Sequence, residues 1–60
     1  MSELTTMLAE RFADARRSLL EARRAGDDYL VDVRLSEIEE LARLARENDV
    51  VIPGLERIAA

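Results

Sequence analysis

Residues 28–48 divide between two sides of a helical wheel. At about 100° per residue, Leu30, Val31, Val33, Leu35, Ile38, Leu41, Ala42, Leu44 and Ala45 fall on one broad face. Asp28, Asp32, Ser36, Glu39, Glu40, Arg43, Arg46 and Glu47 fall on the other. The apolar arc covers about half the wheel, wider than the ~100° stripe that buries against one neighbour. The pattern predicts a helix packed against more than one other helix. It constrains architecture and association, and names no reaction.

A chain of 60 residues has room for one domain, near the lower limit for independent folding. Apolar burial barely offsets chain entropy at this length, so a small scaffold needs a further staple. Without Cys there is no disulfide, and without Cys or His the usual zinc sites are excluded. What remains is unusually good helix packing or oligomerisation, and the wide apolar arc favours oligomerisation. Hydrophobic residues make up 48% and charged residues 37% of the chain, with Phe12 and Tyr29 its aromatics, a balance that belongs to a helical protein rather than a disordered one. The net charge of −4 argues against nucleic acid as a partner, because phosphate contacts need a basic surface. No apolar run approaches the ~18 residues of a membrane span. Nor does the N-terminus show a charged segment followed by an apolar one, as a secretory signal would. The expectation is a soluble, cytoplasmic protein. All nine basic residues are Arg, which fits a GC-rich genome and carries no chemistry.

The first helix is predicted from about residue 3 to residue 25, with Ser2 as its N-cap. Leu8, Phe12, Ala15, Leu19 and Ala22 follow alternating spacings of four and three, a heptad seam with Leu4 beside it. Large Phe12 and Leu19 alternate with small Ala15 and Ala22, as interdigitating antiparallel helices require. Gly26 can close the helix in the left-handed conformation, with Arg23 and Arg24 at its negative dipole end. Asp27 then caps a second helix over about 28–48, with Asp28 in its first turn. Such a short connection, 26–27, returns the chain antiparallel. A rival reading makes a short strand of residues 29–35, followed by a capping box at Ser36–Glu39 and a helix from Glu37. Asn48 is the expected left-handed cap of the second helix. In the apolar tail, 49–60, Pro53 either turns the chain or opens a last helical turn. Leu55, Ile58 and Ala59 have the spacing of that turn, and Val51, Ile52, Leu55 and Ile58 are placed to cover the open end of the hairpin.

Two charged constellations stand out. Arg16, Arg17, Arg23 and Arg24 form adjacent columns on the back of the first helix, either an anion or acidic-partner patch or a solvated face balanced by Glu10, Asp14 and Glu21. Arg34 and Glu37 fall inside the apolar face of the second helix, three residues apart, where they can pair with each other. They read as rim charges or as register-setting charges in a dimer interface, and the breadth of the face favours the second. Pairs such as Glu37 with Glu40, or Asp28 with Asp32, lack the His that usually completes a carboxylate metal site in a bundle, so no metal or other cofactor is expected. Ser2, Ser18 and Ser36 have no His or Cys partner to make a nucleophilic site, and no enzyme is expected.

The stretches Ala22-Arg23-Arg24-Ala25-Gly26-Asp27-Asp28-Tyr29-Leu30 and Glu39-Glu40-Leu41-Ala42-Arg43-Leu44-Ala45 resemble short helical-hairpin proteins of high-GC actinobacteria and their phages. That resemblance covers about half the chain and implies a hairpin, with no active site. In architecture the chain also resembles the plasmid copy-control protein Rop, whose hairpins pair into a four-helix bundle, although the RNA-binding face of that family is not recognisable here.

The sequence therefore predicts one all-α domain, an antiparallel helical hairpin with a C-terminal helical turn, pairing into a four-helix bundle. Its expected role is that of a homodimeric adaptor or regulator, with an interface built from Leu30, Val31, Arg34, Leu35, Glu37, Ile38, Leu41 and Ala45. The alternatives are a nucleic-acid-binding regulator using the Arg columns, or a subunit whose apolar face belongs to a different protein partner.

Overall fold

Ser2 starts the first helix by the means its position suggests. Its backbone is extended, and its hydroxyl accepts from the Thr5 N–H at 3.2 Å, satisfying one of the free amides of the first turn. The helix it opens, α1, runs Glu3–Ala25, and a second, α2, runs Asp28–Glu47. This computed structural model describes residues 2–55 and 57.

Two residues stop α1 and restart the chain. Gly26 sits at φ 70°, and its N–H donates to the Arg23 carbonyl at 3.2 Å, while the Asp27 N–H reaches the Ala22 carbonyl at 2.9 Å. That pair of bonds is a Schellman closure, which satisfies carbonyls the helix end would otherwise leave open. The Asp27 carboxylate then accepts from the Leu30 N–H at 3.0 Å and caps α2. With so short a link the helices lie antiparallel and pack along their length.

Residues 29–35 belong to α2, so the strand reading is replaced by one continuous helix. A lone strand would have no ladder to join, whereas in the helix the backbone N–H groups from Val31 onward bond within the helix and its cap, and Leu30 is satisfied by Asp27. The α1 seam buries as spaced: Leu8, Phe12, Ala15, Leu19 and Ala22 are all buried, and Ile38, Leu41, Ala42 and Ala45 face them from α2. Leu19 and Ile38 are the most completely enclosed. Val33, counted with the apolar face, stays 36% exposed, because it lies at the wheel's edge, away from α1.

The end of α2 differs from expectation by one residue. Asn48 keeps a negative φ of −112° and caps with its side chain, its amide nitrogen donating to the Leu44 carbonyl at 2.8 Å. Asp49 takes the left-handed position at φ 53°, and the Val50 N–H closes a second Schellman bond to Ala45 at 2.8 Å. Beyond it, Ile52-Pro53-Gly54-Leu55 forms a tight turn, the Leu55 N–H donating to the Ile52 carbonyl at 3.2 Å, with Gly54 at φ 86°. Proline second and a positive-φ glycine third are the signature of a type II turn, so Pro53 turns the chain. The turn folds the tail back, and Ile52 and Leu55 join the core while Val51 points outward, 83% exposed. Gly54 lies beside the Phe12 ring, where an added Cβ would come within 3.9 Å. Leu55 and Arg57 are helical. Ile58 and Ala59, expected to continue that turn, lie outside the described residues.

Candidate interaction surface

Ala15 is small where Arg34 and Glu37 approach from the opposite helix, so the two helices leave a shallow groove rather than a filled contact. Its lining is Arg11, Asp14, Ala15, Arg34 and Glu37, and its volume is about 290 Å³. Arg34 forms one wall. Its Nε donates to the Ser18 hydroxyl of α1 at 2.8 Å, and its Nη1 donates to Glu37 Oε1 at 3.3 Å. The pairing of Arg34 with Glu37 is as their spacing predicts. The Ser18 contact was not foreseen, since Ser18 becomes a neighbour of Arg34 only once the register between the helices is known. A guanidinium donates and cannot accept a serine proton, so the contact holds Arg34 in place and activates nothing.

Helical periodicity places further residues on this flank of the hairpin. On α2, Leu30 and Leu44 are half-buried and Val33 is exposed on the side of Glu37; on α1, Met7 is 46% exposed on the side of Arg11 and Asp14. The flank is thus a charged middle between apolar ends. Phe12 lies on the other side of the α1 seam from Arg11, and its neighbour Gly54 puts the tail on that opposite flank.

The residues expected at an interface are therefore divided. Leu30, Arg34 and Glu37 share the grooved flank. Val31 and Leu35 are half-buried toward the other side. Ile38, Leu41 and Ala45 are enclosed by the chain's own core and present almost no surface. Part of the apolar width that suggests association is thus used by packing within the chain, with Ile52 and Leu55 supplying cover.

Arg16, Arg17, Arg23 and Arg24 are all exposed on α1. Arg17 pairs with Asp14 at 3.2 Å, and Arg23 and Arg24 occupy the last turn, where cations offset the helix dipole. On the outer face of α2, Arg43 bridges Glu40 and Glu47, and its hydrogen bonds to both carboxylates push its pKa up. Arginine is already charged at any working pH, so this changes no protonation state. Glu37 and Glu40 each face an Arg, and among the described residues no three carboxylates gather into a metal-binding group. No helix among them is long and apolar enough to cross a membrane. Comparison with protein-family models, curated proteins and solved structures finds no match.

Proposed function

We propose that this chain is a small, non-enzymatic interaction protein of the cytoplasm, a homodimeric adaptor or regulator that works by presenting helix surface to protein partners. The observation that carries the reading is the apolar material left outside after the hairpin and its tail have packed. Leu30, Val33, Leu44 and Met7 remain at least partly accessible along one flank, and Tyr29 stands 80% exposed at the start of α2. Single exposed apolar residues are ordinary, but several along one flank beside fixed charges are what contact surfaces offer. Pairing would supply further cover to a short chain that has no cysteine for a disulfide.

Sedimentation equilibrium at tens of micromolar, with melting temperature followed against protein concentration, tests the proposal. Coupled folding and pairing makes the melting temperature rise with concentration. A monomer mass together with a concentration-independent melt would refute the homodimer. In that event, co-purification from the native host would ask whether a different protein occupies the flank.

A further inference from the structure

We infer that two copies pair by exchanging their tails: each tail leaves its own hairpin at Asp49 and seats Ile52 and Leu55 beside the other copy's Phe12. The inference rests on the homodimer reading above and gives it a means. Exchange needs a seat, a segment that fits the seat as a unit, and a short strained hinge that opening relieves. This chain has all of them.

The seat is the place in the core that the chain's own Ile52 and Leu55 fill, with Gly54 against the Phe12 ring. The segment that fits it is self-contained. Its turn is closed by its own hydrogen bond, from the Leu55 N–H to the Ile52 carbonyl at 3.2 Å, so Ile52-Pro53-Gly54-Leu55 can move without changing shape. Whichever copy supplies it, the seat receives the same side chains, and the contacts of the tail are remade across the pair.

The hinge lies between the cap of α2 and Ile52. Asp49 is held at φ 53°, the one residue other than glycine with a positive φ among those described, and an L-residue is disfavoured there. Straightening the chain at Asp49 relieves this, at the loss of the Val50 N–H bond to the Ala45 carbonyl. Val51 is exposed, so its side chain does not pin the hinge to the hairpin. Val50, Val51 and Ile52 are all β-branched, a residue type that favours the extended backbone an open hinge would take.

Reach sets how the copies meet. Residues 49–51, extended, span about 10 Å, so the ends of the two α2 helices must lie next to each other, with the long axes of the hairpins leading apart. Each copy is 36 Å long and 17 by 15 Å across, so meeting at the ends keeps most of the charge of two chains of net −4 well separated. Glu47, at the junction, is already paired with Arg43. The grooved flank stays free for other proteins.

Isotope-filtered NMR on the full chain tests the exchange. Labelled and unlabelled chains are mixed in urea in equal amounts and refolded together at a concentration where sedimentation shows the dimer. An exchanged pair gives nuclear Overhauser effects between Gly54 of one chain and the Phe12 ring of the other, because exchange sets those groups of different chains side by side. Two hinge variants read the same device through affinity. Asp49→Gly removes the strain of the closed form and should weaken pairing about tenfold, whereas Asp49→Pro, which cannot hold a positive φ, should strengthen it about tenfold or more. Should either variant not fold, the filtered spectrum of the unaltered chain still answers. A dimer whose Gly54–Phe12 effects stay within one chain, or whose affinity both variants leave unmoved or shift the other way, overturns the exchange and leaves the homodimer standing. A monomer at every concentration overturns both.

Discussion

Replacing Gly26 with alanine isolates the energetics of the turn, because no atom beyond the turn's own backbone crowds the site. Gly26 sits at φ 70° and ψ 24°, inside the left-handed region, and beyond its own chain neighbours a Cβ built on it would meet nothing within 4 Å. The cost is therefore the backbone's own: an L-residue held left-handed is disfavoured by roughly 1–2 kcal/mol. Alanine returns part of this by restricting the unfolded chain, by about 0.4–1 kcal/mol, so the net loss should be close to 1 kcal/mol. For a domain of this length, 1 kcal/mol corresponds to a fall of about 4–8 °C in melting temperature. Gly26→Asn, which tolerates the left-handed region better, should fall by less. Thermal unfolding followed by circular dichroism at 222 nm, at one fixed protein concentration, reads both. If Gly26→Ala melts at or above the unaltered protein, the two hydrogen bonds of the closure do not hold Gly26 left-handed in solution, and the account of the turn is wrong.

Other substitutions probe the remaining links. Leu41→Ala should destabilise by roughly 2–5 kcal/mol through lost burial and a cavity, measured by urea unfolding, and a loss under 1 kcal/mol would mean that α2 does not pack as described. Ile52→Ala should cost about 2–4 kcal/mol while Val51→Ala costs almost nothing; equal effects would show that the tail is not seated. Ser18→Ala should cost about 1 kcal/mol and broaden the NMR signal of the Arg34 Nε–H, whereas an unchanged signal would place that guanidinium elsewhere. Val33→Pro should break α2 at a cost of about 3 kcal/mol or more, and an unchanged stability in urea would contradict a continuous helix through residues 29–35.

Where local chemistry decides the structure, the residues announce it. Ser2, Gly26 and Asp27 act on backbone groups within one or two helical turns, and the α1 seam from Leu8 to Ala22 needs only helical periodicity. Contacts across the hairpin were harder to read. Ser18 meets Arg34 because of the register set at the turn, and neither helix alone encodes it. The same blindness made the apolar face of α2 appear wider than its unpartnered part. Ile38 and Leu41 read as interface residues as long as the tail's place is unknown, and Val33 counts with the apolar face although its angle sets it near the edge. At the end of α2, composition favoured Asn48 for the left-handed position. Asn48 instead bonds back to the Leu44 carbonyl with its side chain, and the next residue, Asp49, turns the chain.

The place of the tail beside Phe12 ties the far end of the described chain back to the first half of α1. Within the hairpin, partners are joined through a two-residue link, and such nearby contacts form fast. Seating Ile52 and Leu55 waits on a surface that exists only when both helices are paired, so this step belongs late in folding. Interactions made after the transition state mainly set how fast a protein unfolds. The tail is thus a latch on lifetime more than a nucleus. Loosening it should multiply the unfolding rate while leaving the folding rate nearly untouched, and each brief release would uncover Phe12 before the rest of the core opens.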